Sequence, residues 1–138
     1  MSTPCQIGII RPNGRVKSIY CHHDGGSGRI RDILLCAYGS ADAVEALLRL
    51  GDVSVLGRKL APEHGPHSME RPQPDVTVAY VRDDGRPKTE NRPYTDRNLA
   101  AFTRTYADRH CYLYDAASGT WLASEPYGGF RPLGAAES

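Results

Sequence analysis

A chain of 138 residues, 40% hydrophobic and 24% charged, is long enough to bury roughly two thirds of its unfolded surface as one domain without metal or disulfide support. Its formal charge of +1 offers no bulk attraction to nucleic acid or an anionic membrane, so any anion site must be local and nucleic acid is not an expected partner. No apolar run approaches the roughly 18 residues of a membrane span and no basic-then-apolar leader is present, so a cytoplasmic protein without membrane association is expected.

Residues 6–10 and 15–20 read as apolar, β-branched strands joined by Arg11-Pro12-Asn13-Gly14, where Asn-Gly supplies the positive φ values of a hairpin turn. Tyr20-Cys21-His22-His23-Asp24-Gly25-Gly26-Ser27-Gly28 follows, a strand-to-helix junction rich in reactive side chains, whose glycines let the backbone approach a ligand. Ile30, Ile33, Leu34 and Ala37 predict a helix over 28–38; Val44, Leu47 and Leu48 predict a second over 41–50, with Ser40 as N-cap and Gly51 as stop. Asp52 and Ser54 suit a structural turn over 51–57, because each can bond nearby backbone N–H groups.

Four prolines between residues 61 and 74 predict a long surface loop. A strand is predicted over 76–81, a turn over 82–87, and a polar segment over 88–93 that would serve as a flap. Thr95 or Asp96 is expected to cap a third helix reaching to about residue 108, with Leu99, Phe102 and Tyr106 on one face. Runs at 111–114 and 120–123 predict a second hairpin around Ser118-Gly119, with Tyr112, Tyr114 and Trp121 packing one sheet face.

These elements predict an α+β fold: an antiparallel sheet of two hairpins plus one strand, with about three helices on one face. One domain over 1–138 is expected, with long loops at 61–75 and 84–94 and a loosely ordered tail from 125 to 138. Short edge strands would permit a homodimer. Cys5, Cys21, Cys36 and Cys111 are widely spaced and should stay reduced, with Cys5, Cys36 and Cys111 acting as buried small hydrophobes.

Three chemistries compete for the junction. A zinc shell finds ligand spacing only at His64 and His67. Cys21, a histidine and Asp24 imitate a thiol nucleophile set, but sequence neighbours seldom meet in attack geometry. Phosphate binding fits best: the glycines, Lys17, Arg29 and Arg31, with Tyr80 and Arg82 on a neighbouring strand, provide aromatic faces for a base and guanidinium forks for phosphate. The expected ligand residues are Lys17, Tyr20, His22, Asp24, Gly25, Gly28, Arg29, Tyr80, Arg82 and Asp83, with no cofactor. A second reading is a hydrolase or lyase acting on a nucleotide through His22 and Asp24.

The pattern Tyr20-Cys21-His22-x-Asp24-Gly25, then Gly28, Leu34 and Tyr38, then Leu50-Gly51-Asp52-x-Ser54-x-Leu56-Gly57 resembles a family of small bacterial and phage proteins. Ala79-Tyr80-x-Arg82-Asp83, Tyr112-Leu113-Tyr114-Asp115 and Trp121 extend the likeness over almost the whole chain, although His23 and Gly26 stand where the pattern carries aromatic residues. The resemblance implies a shared fold and a phage or mobile-element setting. A protein of that setting without a convincing catalytic set would disable host defence by binding, either by sequestering a nucleotide-derived immune signal of cyclic-nucleotide or ADP-ribose type or by capping a defence protein.

Overall fold

The computed structural model describes residues 3–133. The N-terminal hairpin pairs β1 (Cys5–Ile10) with β2 (Val16–Cys21) antiparallel, in the register Cys5 to Cys21 through Ile10 to Val16. Its turn differs in one detail from the Asn-Gly expectation. Only Gly14 takes a positive φ, 85°, while the Asn13 carboxamide oxygen accepts from the Arg15 N–H.

Helices α1 (Gly28–Ala37) and α2 (Ala41–Leu48) follow as expected, and the Ser40 hydroxyl caps α2 by accepting from the Ala43 N–H. Ile30, Ile33 and Leu34 of α1 and Val44, Leu47 and Leu48 of α2 pack against Ile7, Ile9, Ile19 and Cys21 of the sheet. Burying each such side chain is worth about 1.5–3 kcal/mol. Tyr112, Tyr114 and Trp121 are buried in the same cluster, and the indole N–H donates to the Tyr38 carbonyl at 2.8 Å.

The class is α+β, as expected, but the sheet is larger and mixed rather than antiparallel. Short strands β3 (Val53–Val55), β4 (Val78–Ala79) and β5 (Tyr94–Asp96) join it, with β6 (His110–Asp115), β7 (Thr120–Ser124) and β8 (Arg131–Pro132). The order is β4-β3-β2-β1-β6-β7-β8, with β5 also paired to β2; β1 runs parallel to β6, and β2 parallel to β3. The strands at the two ends of this order span only two residues each, one carrying Pro132, and β5, which pairs β2 alone, spans three, which leaves little template for edge pairing.

Several local readings change. The 51–57 segment contributes β3 instead of a turn alone. Only Val78 and Ala79 of the predicted 76–81 strand form a strand, with Val76 in an isolated bridge to Lys59, because the Asp83 carboxylate accepts from the Ala79 N–H and starts helix α3 (Tyr80–Asp84), which Gly85 ends at φ 66°. The 84–94 stretch holds α4 (Lys88–Asn91). Thr95 and Asp96 lie in β5 rather than at a helix start, and the Asn98 side chain caps α5 (Leu99–Thr105).

Phe102 of α5 packs with Val16, Cys111 and Leu113. Side chains alternate across a strand, so Val16 and Leu113 face opposite to Ile19 and Tyr112, and α5 covers the side of the sheet away from α1 and α2. The helices therefore occupy both faces, not one. Cys36 is exposed, whereas Cys5, Cys21 and Cys111 are buried. Residues 125–133 are tied down through β8 and through bonds from the Tyr127 N–H to the Ala107 carbonyl and from the Leu133 N–H to the Trp121 carbonyl. The remainder of the expected tail, 134–138, lies outside the described residues.

No helix among the described residues is long and apolar enough to cross a membrane.

Candidate functional site

The outer edge of β2 is divided between two short strands. β5 pairs with Val16, Lys17 and Ser18, and β3 begins at Cys21, so Ile19 and Tyr20 have no strand partner on that edge. Asp52 fills the break. Its Oδ1 accepts from the Tyr20 N–H at 2.9 Å, its own N–H donates to the Asn91 carbonyl at 2.8 Å, and its carbonyl accepts from the Tyr80 N–H at 3.2 Å. One residue thus holds β2, α3 and the end of α4 around a gap.

The gap opens into a cleft of about 670 Å³ lined by Tyr20, His22, Asp52, Tyr80, Arg86, Asn91, Tyr94, Tyr106 and Arg109. The Arg109 guanidinium carbon lies 5.3 Å from the Tyr20 ring centre and 5.4 Å from that of Tyr106. Its Nη1 donates to Gln6 Oε1 at 2.8 Å, and Gln6 in turn donates to the Ser18 hydroxyl at 3.0 Å, both side chains being fully buried. Arg86 sits over the Tyr80 ring at 5.1 Å. Tyr20 Oη and His22 Nδ1 share a hydrogen bond of 2.7 Å. The walls are therefore aromatic faces; Arg109 rests between two of them, and Arg86 lies over the third while its Nε donates to the Asp84 carboxylate at 2.6 Å.

Asp52 is 5% exposed, and its burial pushes the carboxyl up to about 6, against the opposing pull of the Tyr20 N–H and Arg109. A carboxyl whose folded value is raised favours the folded state most below its unfolded value near 3.8, and that advantage is lost as pH rises through 6. The loss approaches about 3 kcal/mol. Asp52→Asn keeps an acceptor for the Tyr20 N–H and does not ionise, so it should be more stable than the parent at pH 8 and equally stable at pH 4. Urea melts at the two pH values test this; an offset independent of pH would contradict it.

Of the residues expected from the sequence, Tyr20, His22 and Tyr80 meet in this cleft. Lys17 does not: three residues from Tyr20 on a strand, it points to the opposite face, where its charge acts on Glu45 of α2. Asp24 is exposed at φ 67°, 3.4 Å from Arg29, and Arg29 also donates to the Leu56 carbonyl. Because Asp24 partners Arg29 and His22 partners Tyr20, a His22 to Asp24 catalytic pair is not assembled. Gly25 is buried, donating to the Thr3 carbonyl and accepting from the Tyr112 hydroxyl.

Gly28 lines a different cleft, about 480 Å³, with Arg31, His110, Tyr112 and Arg131. Tyr112 belongs to the α1 and α2 side of the sheet, so the two clefts lie on opposite faces.

Arg82 and Asp83 hold the chain together rather than line the tyrosine cleft. Arg82 donates to the carbonyls of Leu60 and Thr77 and to both oxygens of Asp83. The Asp83 side chain is 3% exposed; burial pushes it up, but the bonds from Arg82 and the Ala79 N–H outweigh this and hold the carboxyl below its usual value. His67 takes part too, with Nε2 at 3.2 Å from the Thr77 carbonyl and Nδ1 accepting from the Gln73 N–H. Arg82→Ala should consequently lower stability by about 1–2 kcal/mol, read as a shifted urea midpoint with unchanged slope. An unchanged midpoint would show these bonds to be energetically neutral.

Among the described residues no group of three or more His, Cys, Asp or Glu side chains is arranged to hold a metal ion. Asp52, Arg86, Asn91, Tyr94, Tyr106 and Arg109 are lining residues that the sequence reading left out. One compositional signal pointed their way: eight tyrosines against two phenylalanines, an excess of aromatic rings carrying a polar tip. Comparison of the chain with protein-family models, with curated proteins and with solved structures finds no match.

Proposed function

We propose that the chain binds a nucleotide-derived small molecule in the tyrosine cleft, and that it acts by sequestering the ligand rather than converting it. One observation carries this reading: four tyrosines, a guanidinium group set between two of their rings, a second over another ring and paired with Asp84, and a histidine converge on a cleft of about 670 Å³ at a break in the sheet. Planar rings stack on tyrosine, phosphates accept from guanidinium forks, and the volume falls within the range of small-molecule sites. Arg109 also meets its ligand with little loss of side-chain entropy, because Gln6, Tyr20 and Tyr106 already fix it.

The biological setting proposed is evasion of host defence by a phage or mobile element, with a cyclic nucleotide or an ADP-ribose derivative as the captured signal. The resemblance of the Tyr20 to Gly25 and Ala79 to Asp83 patterns supports that setting. Sequestration is favoured over turnover because His22 and Asp24 do not meet.

Calorimetric titration with mononucleotides, cyclic dinucleotides and ADP-ribose, followed by recovery of each ligand, is the direct test. Binding below millimolar Kd with the ligand recovered intact is expected. If none binds more tightly than about 1 mM, which corresponds to about 4 kcal/mol, the reading fails; conversion of the ligand would replace it with the enzyme reading.

A further inference from the structure

Asp52 is nearly buried between the Tyr20 strand, the Tyr80 helix and the Asn91 carbonyl, and its Oδ1 is committed to the Tyr20 N–H. Its Oδ2 makes no hydrogen bond with any described residue and is not sealed from the cleft. The side chains that could give it a counter-charge, Arg86 and Arg109, are held over the Tyr80 ring with an ion pair to Asp84 and between the Tyr20 and Tyr106 rings; neither donates to it. Water can satisfy this oxygen while the cleft is open, so a ligand that displaces that water must supply a donor in its place.

Resting on the nucleotide-binding reading above, we infer that Asp52 is the specificity-determining residue of the cleft and that its free oxygen takes an N–H donor from the edge of the ligand's base. The ligand class is then a nucleotide whose base presents ring N–H or amino donors, with guanine, which offers both side by side, as the best case. A base of the same size without donors would stack equally on the tyrosines but leave the Asp52 oxygen unpaired and desolvated. Loss of a partner for a buried polar group discriminates between ligands more sharply than a change in apolar contact does.

Two probes separate these contributions: guanosine 5′-monophosphate, and purine riboside 5′-monophosphate, which keeps the bicyclic ring and the phosphate but has no donor on the base. Isothermal titration of the full chain at pH 7.5 should show the guanine nucleotide binding at least tenfold more tightly. In Asp52→Asn the carboxamide oxygen is expected to take over the Tyr20 N–H, turning the amide NH2 toward the ligand. A donor then faces a donor, and the preference should fall below twofold.

Equal affinity of the parent chain for the two nucleotides overturns the inference while leaving the nucleotide-binding reading standing, and this comparison needs no variant. Persistence of the tenfold preference in Asp52→Asn also overturns it, by moving the discriminating contact to another residue. Failure of both nucleotides and of the wider panel to bind overturns the binding reading and this inference together.

Discussion

Gly51→Ala is expected to be among the most damaging single substitutions outside the apolar core. Gly51 has φ 76°, and a Cβ placed there would lie 2.1 Å from the Asn91 carbonyl oxygen and 3.2 Å from its carbon. The left-handed backbone alone costs an alanine about 1–2 kcal/mol. The close approach adds more, because the obstacle is backbone, and it is the same carbonyl that accepts from the Asp52 N–H. Forcing such a contact typically costs about 1–3 kcal/mol, so a total near 3 kcal/mol and a fall in Tm of about 10 °C are expected.

Gly14→Ala supplies the control, since its φ of 85° is similar but nothing lies within 4 Å of the added carbon. It should lose only the conformational part, about 1 kcal/mol. Calorimetric melting of the two variants side by side separates strain from collision. If Gly51→Ala melts no lower than Gly14→Ala, α4 is not held against Asp52 in the way described.

Arg109→Ala is expected to produce the largest loss of ligand affinity. The side chain supplies the cation that rests between Tyr20 and Tyr106, and its removal also strands the Oε1 of the fully buried Gln6. An affinity for guanosine 5′-monophosphate weakened by a hundredfold or more, about 2.7 kcal/mol, is the expected result, accompanied by a stability loss of about 1–3 kcal/mol from the unpaired amide. Arg109→Lys keeps the charge but lacks the planar fork, and should fall between the parent and the alanine variant. Titrations run at least 20 °C below the variant's Tm keep unfolding out of the measurement. An alanine variant that binds within threefold of the parent would remove Arg109 from the site.

These two positions show how unequally the molecule could be read beforehand. Gly51 was recognisable as a helix stop from its neighbours alone. That its absent side chain admits the carbonyl of Asn91, forty residues on, was not. Arg109 belonged to no motif, since it lies between a helix end and a strand. It acquires a role only because β6 pairs parallel with β1 and brings it over Gln6 and Tyr20.

The sequence by itself determined the features whose cause is local. The first hairpin follows from Asn13-Gly14, α1 and α2 from apolar spacing with the Ser40 cap, the second hairpin from alternation on either side of Ser118-Gly119, and three of the cleft residues from the aromatic and imidazole groups at Tyr20, His22 and Tyr80. Each rests on turn geometry, helical periodicity or side-chain chemistry within a few residues. Only the tertiary structure decided the strand order, the placement of helices on both faces, and the sharing of one edge of β2 between β3 and β5. Backbone hydrogen bonding is nearly blind to sequence, so which strand meets which edge depends on the packing of the whole chain. The gap left at Tyr20 is a product of that packing, and it turns Asp52 from a turn residue into a lining residue of a cleft, with one oxygen spent on the sheet and the other making no hydrogen bond to a described residue.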